Sequence, residues 1–146
     1  MLCEDIMNFL VVDLDGSLLK SDMLYESFWS SVTLSWRNPL MALLAARHGK
    51  AALKQYLADN CDVDPDLLPY NQEVIKYISN FREQGGKVIL ATATNITLAT
   101  KIGKSINLFD EVHGSTANIN FKGDVKAEFL LKRFGTDGFT YIGDTN

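Results

Sequence analysis

Residues 9–17 read FLVVDLDGS, and this stretch decides the fold class of the chain. Its first four residues are apolar and end in two valines, a composition typical of a strand buried on both faces of a parallel sheet. The strand is followed by an acidic turn, Asp13-Leu14-Asp15-Gly16. Because ligands bind beyond the carboxyl ends of the strands in open parallel sheets, this turn is the first candidate functional segment.

Further apolar runs predict the rest of the sheet. Residues 88–91 (VILA) and 139–142 (FTYI) are predicted strands, and 109–113 and 118–121 are weaker candidates. Segments with helical periodicity separate them, at 71–84, after Asn95 and from Asp124 to Phe134. Strands that alternate with helices predict an α/β fold, here a Rossmann-like parallel sheet with helices on both faces.

The region from about 20 to 70 has only helical patterns, so we predict a small helical cap inserted after the first strand. The core then comprises residues 1–19 and 71–146, and the cap comprises 20–70. Apolar residues of the first two cap helices are expected to face inward: Leu24, Phe28, Val32, Trp36, Leu40, Leu43 and Leu44. Trp29 and Trp36 fit the apolar face of a cap helix, although exposed aromatic side chains could equally contact a membrane or a partner domain.

Composition excludes several classes of protein. The chain has 146 residues, 47% of them hydrophobic, and a formal net charge of −4, which indicates one globular domain and argues against nucleic-acid binding. Its longest membrane-like stretch, 39–46, is far shorter than the roughly 20 residues that a spanning helix needs. Cys3 and Cys61 have neither zinc-site nor disulfide-framework spacing, so a cytoplasmic setting is expected.

The predicted strand ends bring polar side chains to one edge of the sheet. The acidic pair Asp13 and Asp15 follows the first strand, Thr92 the second and Asp144 the last, and Lys126 could reach the same edge from a helix. Carboxylates that converge without histidine or thiolate favour a hard cation such as Mg²⁺. Such an ion suits a phosphate, whose other oxygens a hydroxyl and an ammonium group can hold.

The spacing of the acidic pair suits phosphoryl transfer. Asp13 and Asp15 are two positions apart, so on an extended chain they point the same way. One aspartate can attack phosphorus to form an acyl phosphate, and the other can protonate the leaving oxygen and later activate water. Gly16 allows backbone amides to come close to the phosphate.

The four segments resemble the signatures of the haloacid dehalogenase (HAD) superfamily of phosphatases, in that family's order. Residues 11–19 (VVDLDGSLL) resemble the first, 90–94 (LATAT) the second, Lys126 the lysine of the third and 141–144 (YIGD) the start of the fourth. The resemblance implies catalytic roles for four residues and a metal site of three, as follows. Asp13 is the nucleophile, Asp15 the general acid/base, Thr92 and Lys126 hold phosphate, and Mg²⁺ lies between Asp13, the Asp15 carbonyl and Asp144.

A narrower resemblance concerns the cap and its return to the core. Residues 22–26 (DMLYE), 37–40 (RNPL) and 68–71 (LPYN) are similar to the N-terminal HAD domain fused to UbiA-type polyprenyl transferases. This implies a small-molecule or polyprenyl-linked phosphate substrate and a possible membrane domain in a longer chain at the cytoplasmic face of the membrane.

Two departures from the HAD pattern matter. Ser17 replaces the usual threonine and keeps the hydroxyl group. The fourth signature normally continues to a second acid shortly after the position of Asp144, whereas this sequence stops at Asn146, so we expect a fragment of a longer protein.

Three functions agree with these observations to different degrees. The leading hypothesis is a magnesium-dependent phosphatase. The second is a docking or regulatory HAD domain with weak activity in a larger membrane protein. The third is a receiver-type signalling module, which is disfavoured because its phospho-accepting aspartate should end an early strand, whereas Asp59, Asp62 and Asp64 follow helical sequence.

Overall fold

The computed structural model describes residues 8–144 of the chain. Within this range the elements are β1 (Phe9–Val12), α1 (Met23–Leu34), α2 (Asn38–Ala46), α3 (Lys50–Asp59), α4 (Gln72–Glu83), β2 (Lys87–Asn95), α5 (Ile96–Ile106), β3 (Glu111–Ser115), α6 (Asp124–Phe134) and β4 (Phe139–Ile142). A short 3₁₀ helix, Pro65–Leu67, precedes α4.

The four strands form one parallel sheet in the order β3-β2-β1-β4. The central strand β1 pairs with β2 on one side and with β4 on the other, so that Val12 lies between Leu90 and Ile142. This arrangement confirms the predicted α/β class with a parallel sheet. The predicted strand at 118–121 is wrong, because these residues form a loop.

Alternate residues of the central strands build the core on both faces of the sheet. Leu10 belongs to a cluster with Ile78 of α4 and Ile102 of α5. Its neighbour Val11 belongs to the opposite cluster, with Leu130 of α6. Successive side chains of a strand point to opposite faces, which explains why the continuous apolar run of β1 is buried on both sides.

The order of the strands fixes where a ligand site can form. The connections from β1 to β2 and from β2 to β3 proceed in one direction across the sheet, whereas the connection from β3 through α6 returns to β4 beside β1. Right-handed crossovers then require α6 to lie on the face opposite α4 and α5, as observed in the two core clusters. The reversal opens a crevice beyond the carboxyl ends of β1 and β4.

The helical cap is joined to the core by two chain segments that run side by side. The backbone N–H of Lys20 donates to the carbonyl of Pro69 (3.0 Å), and that of Asn71 donates to the carbonyl of Leu18 (2.8 Å). Helices α1, α2 and α3 lie between these segments in sequence. The division into a core of 1–19 and 71–146 and a cap of 20–70 stays a prediction.

The buried faces of α1 and α2 differ from the predicted ones. In α1 the buried residues are Met23, Ser27 and Ser31, and the serine hydroxyls donate to backbone carbonyls within their own helix. Serine side chains are small, and their hydroxyls can be buried when they are hydrogen-bonded to the backbone. A search for periodic large apolar residues does not detect a buried helix face of this kind.

The large apolar residues of the cap are correspondingly exposed. Leu40 and Leu43 of α2 are 60% and 63% exposed, and Leu44 is also exposed. Trp36 lies beyond the end of α1 and is 79% exposed, and Trp29 is half exposed. The inward orientation predicted for these leucines is therefore wrong, and of the two alternatives for Trp29 and Trp36 the structure has the exposed one.

No helix between residues 8 and 144 is long and apolar enough to cross a membrane. The Cys61 thiol is free and donates to the carbonyl of Ala58, whereas Cys3, Thr145 and Asn146 lie outside the described residues.

Truncation of a core side chain and of a cap side chain should have different effects on stability. Ile78 is fully buried beneath the sheet, so Ile78→Ala should lower the free energy of unfolding by about 2–5 kcal/mol. Leu40→Ala should change it by less than about 0.5 kcal/mol, because the side chain is already exposed. Urea denaturation of both variants measures the difference, and equal losses would contradict the exposed orientation of α2.

Candidate functional site

A cleft of about 1040 Å³ lies beyond the carboxyl ends of the strands, between the core and the cap. Five of the six predicted site residues line it: Asp13, Asp15, Gly16, Lys126 and Asp144. They come from the turn after β1, from α6 and from the residues after β4. The crevice expected from the strand order is therefore where the acidic and basic side chains meet.

An ion pair between Asp13 and Lys126 lies at the base of this cleft. Lys126 Nζ donates to Asp13 Oδ2 at 2.6 Å, and both side chains are largely buried. Tyr141 completes the cluster, because its hydroxyl donates to the same Oδ2 (3.0 Å) and accepts from Lys126 Nζ (2.9 Å). The other oxygen, Asp13 Oδ1, accepts from the backbone N–H of Leu14 (2.8 Å).

These contacts keep Lys126 charged. Burial alone lowers the pKa of Lys126, but the hydrogen bonds to Asp13 and Tyr141 and the charge of Asp13 raise it to above its ordinary value. The ammonium group is therefore a permanent cation at the carboxyl end of β1, where it can balance a phosphate as well as a carboxylate.

Asp15 differs from Asp13 in its surroundings. Its Oδ1 accepts from the backbone N–H of Met23 (2.8 Å), at the start of cap helix α1, and its Oδ2 accepts from the Thr94 hydroxyl (2.9 Å). Burial raises the pKa of Asp15 above the usual carboxyl value, although these two hydrogen bonds oppose the effect. A carboxyl group with a raised pKa is suited to donate a proton and take it back.

Gly16 permits the close approach of Asp144. Its backbone has a left-handed φ of 71°, and a Cβ at this position would lie 3.0 Å from Asp144 Oδ2. The absence of a side chain thus brings the loop after β4 against the turn after β1. Glycine is required here because other residues rarely adopt this φ and because a Cβ would crowd the Asp144 side chain.

Thr92 is the one predicted site residue that does not line the cleft. It is fully buried within β2, and its hydroxyl accepts from the backbone N–H of Thr94 (3.0 Å). Its role as a phosphate ligand stays a prediction. Thr94, two positions further along the same strand, lines the cleft and contacts Asp15.

Sequence reasoning missed three residues of the site. Tyr141 and Thr94 occur in the segments that resemble the fourth and second signatures but have no predicted role, and Lys54 belongs to no motif. Strand alternation could have indicated Tyr141, and the distance of two positions from Thr92 could have indicated Thr94. Nothing in the sequence indicated that Lys54 approaches the core.

The donor chemistry at the crevice fits a magnesium ion. The carboxylates of Asp13 and Asp144 and the backbone carbonyl of Asp15 belong to residues that line one cleft, and all are hard oxygen donors. Mg²⁺ keeps several waters and commonly takes one or two protein carboxylates, so this set is sufficient. Among residues 8–144 no three His, Cys, Asp or Glu side chains are grouped closely enough to form a larger metal-binding cluster.

A relative from Sinorhizobium fredii (strain NBRC 101917 / NGR234), the uncharacterized protein y4nM, is 34% identical over 143 residues. The match covers 98% of this chain and 28% of that protein, so the chain spans little more than a quarter of its relative's length. No protein-family model matches the chain.

Three solved structures resemble the chain over most of its length. A predicted phosphoglycolate phosphatase from Haemophilus somnus 129PT has a TM-score of 0.57 at 16% identity, covering 94% of this chain and 77% of that one. A Bordetella pertussis Tohama I protein of unknown function has a TM-score of 0.57 at 13% identity, covering 91% and 76%. The L-2-haloacid dehalogenase RSc1362 has a TM-score of 0.51 at 15% identity, covering 92% and 77%. The chain therefore has the haloacid-dehalogenase-like fold that its four motifs imply.

Proposed function

We propose that the chain is a magnesium-dependent phosphatase that hydrolyses a phosphate monoester through an aspartyl-phosphate intermediate. The observation that carries this proposal is the pairing of Asp13 with Lys126 at the base of the cleft, with the partly buried carboxyl of Asp15 two residues away. A nucleophile, a cation and a proton donor are thereby available to one bound phosphate.

In the first step a carboxylate oxygen of Asp13 attacks phosphorus, and the bond between phosphorus and the ester oxygen breaks. The carboxyl of Asp15 gives its proton to the departing oxygen, so the alcohol leaves uncharged. Lys126 offsets the negative charge of the phosphoryl oxygens during the transfer. The Asp13 carboxylate is held for attack by its hydrogen bond from Leu14.

In the second step Asp15, now ionised, takes a proton from a water molecule that attacks the acyl phosphate. Phosphate is released, and Asp13 returns as a carboxylate. The hydrogen bonds of Asp15 to Met23 and Thr94 support both roles, because they fix the carboxyl group in one orientation.

The second acid favours a phosphate ester over a carbon–halogen substrate. An alkoxide is a poor leaving group and needs a proton, whereas a halide ion leaves without one. A partly buried carboxyl of raised pKa beside the nucleophile has a use in the first reaction that it lacks in the second.

Magnesium would be held by Asp13, Asp144 and the carbonyl of Asp15, with Gly16 allowing the approach of Asp144. When bound, the ion supplies Lewis-acid stabilisation of the phosphoryl oxygens. The substrate is a small-molecule or polyprenyl-linked phosphate monoester, in keeping with the UbiA-like segments of the cap.

A second role is favoured by the exposed apolar residues of the cap. We propose that helix α2 and the adjacent Trp36 dock on an anionic membrane surface at the cytoplasmic face. Such docking is expected for a domain of a larger membrane protein. Residues 27–58 contain no Asp or Glu, although the whole chain is acidic, and of their four Lys or Arg residues Arg37 and Arg47 lie at the two ends of α2, whereas Lys50 and Lys54 line the cleft. An apolar helix face bordered by cations is typical of interfacial binding to anionic lipid.

The receiver-type alternative has no support among the described residues. Asp59 ends cap helix α3, and Asp62 and Asp64 lie in the loop after it, so none of the three follows a strand.

Removal of the nucleophile tests the phosphatase proposal. Asp13→Asn should reduce hydrolysis of 4-nitrophenyl phosphate to the background rate, because an amide is a far poorer nucleophile than a carboxylate. Asp15→Asn should slow hydrolysis of an alkyl phosphate by on the order of 10²–10⁴ and affect the aryl ester less. Asp137→Asn, on an exposed loop, is the matched control. Full turnover by Asp13→Asn would refute the mechanism.

The proposed metal site is tested by two glycine variants. Gly16 and Gly85 both have positive φ, so Ala at either should cost about 1–2 kcal/mol of stability. Only at Gly16 would the new Cβ meet Asp144, so Gly16→Ala should also weaken Mg²⁺ binding by on the order of tenfold. Calorimetric Mg²⁺ titrations compare the two variants with the unsubstituted chain. Equal Mg²⁺ affinities for all three would count against Asp144 as a ligand.

Membrane docking is tested with vesicles of phosphatidylglycerol and of phosphatidylcholine. The chain should sediment with the anionic vesicles, and the double substitution Trp36→Ala with Leu43→Ala should reduce its partition by about tenfold or more, since two exposed apolar side chains are lost. Tyr77→Ala, which removes an exposed aromatic residue from α4 of the core, should have little effect. Equal partition of all proteins into both vesicle types would disprove docking by this face.

A further inference from the structure

Lys54 reaches from cap helix α3 across the cleft to strand β2 and to the loop before α6. Its Nζ donates to the carbonyl of Ala93 and, at 3.3 Å, to Oδ1 of Asn120. Ala93 precedes Thr94, whose hydroxyl is bound to Asp15. The Lys54 ammonium group is therefore close to the acid/base and on the cap side of the site.

The charge of Lys54 is not balanced by a carboxylate contact. Lys54 takes part in none of the ion pairs formed within residues 8–144, whereas Lys126, which is buried in the same cleft, is paired with Asp13. Burial lowers the pKa of Lys54, and the charge of Asp15 only partly restores it. A half-buried ammonium group whose described partners are neutral oxygens is a favourable site for an anion.

Other cations reinforce this end of the cleft. The charges of Lys50 and Lys122 also lower the pKa of Lys54, which means that both lie near enough to repel it, while Asp15 and Asp22 oppose them. Lysines outnumber aspartates among the lining residues, with Lys20, Lys50, Lys54, Lys122 and Lys126 against Asp13, Asp15, Asp22 and Asp144. Since Lys126 and Asp13 are paired, the remaining excess of cations belongs to the cap side and the loop before α6.

We infer that Lys54 binds a second anionic group of the substrate, so that the preferred substrate is a phosphate monoester whose alcohol part carries a carboxylate or a further phosphate. This inference rests on the proposed phosphatase function for the identity of the reacting group. The second anion belongs to the leaving alcohol, because Lys54 lies on the side of Asp15, which protonates that alcohol. An ammonium group has three N–H donors, and two suffice for Ala93 and Asn120, so one is available to the ligand.

Binding of non-hydrolysable phosphonates tests this subsite apart from catalysis. Calorimetry with Mg²⁺ present compares 3-phosphonopropanoate and its longer homologues with alkylphosphonates of the same chain length. The unsubstituted chain should bind the best carboxylated ligand about 10- to 100-fold more tightly, the usual contribution of a hydrogen bond between charged groups. Lys54→Met should abolish the difference, and Lys54→Arg should restore part of it.

Lys101→Met is the matched control. Lys101 also links core and cap by a hydrogen bond to a backbone carbonyl, that of Val63 (2.7 Å), but it does not line the cleft. If Lys54 only tethers the cap, both Met variants should lose stability alike and neither should lose the preference for the carboxylated ligand. That outcome would overturn the inference, as would equal affinity of the unsubstituted chain for both ligand classes.

Failure of the phosphatase proposal can be distinguished from failure of the Lys54 subsite. Turnover of 4-nitrophenyl phosphate by the unsubstituted chain tests the phosphatase function, whereas the ratio of phosphonate affinities tests Lys54 without any chemistry. If Lys54→Met does not fold, the ratio in the unsubstituted chain and in Lys54→Arg decides the question, because a ratio near one in both would refute the subsite.

Discussion

The buried contact between Lys126 and Asp13 is the interaction on which the rest of the site depends. It joins α6, on one face of the sheet, to the carboxyl end of the central strand β1. A buried ion pair is favourable only where geometry and further hydrogen bonds offset desolvation, and Tyr141 and Leu14 supply those bonds. The packing of α6 against β1 and β2 thus has a second consequence besides burying apolar area, since it holds a cation where a phosphate can bind.

Asp15 links this core site to the cap. One carboxylate oxygen is held by the backbone of Met23 at the start of α1, and the other by Thr94 of β2. Movement of α1 away from the core would remove the hydrogen bond from Met23, which lowers the pKa of Asp15, and would also reduce the burial that raises this pKa most. The protonation of the proposed acid/base is therefore coupled to the position of the cap, although the two belong to different parts of the chain.

The sequence predicted the parts of this arrangement that follow from strand geometry. Apolar runs identified β1, β2 and β4, and the rule that ligands bind at strand ends selected Asp13, Asp15 and Asp144, which all line the cleft. The sequence pattern of the cap did not predict which faces of its helices are buried. The fully buried positions of α1 include the small residues Ser27 and Ser31, and that of α2 is Ala42, whereas the large apolar side chains of α2 are exposed. The approach of Lys54 to the core also depends on how the cap sits on the sheet, and local periodicity carries no information about such an orientation.

The acid-free segment of the cap, residues 27–58, has two different faces. Lys54 extends from it into the cleft, while Trp36 and Leu43 are exposed to solvent. An anionic head group is complementary to Lys54 in the cleft, and an apolar tail is complementary to the exposed Trp36 and Leu43. A polyprenyl-linked phosphate that carries a second anionic group has both properties. The two proposals for the cap are thus physically compatible in a single substrate class, because one concerns the charge of the cleft and the other the apolar surface outside it.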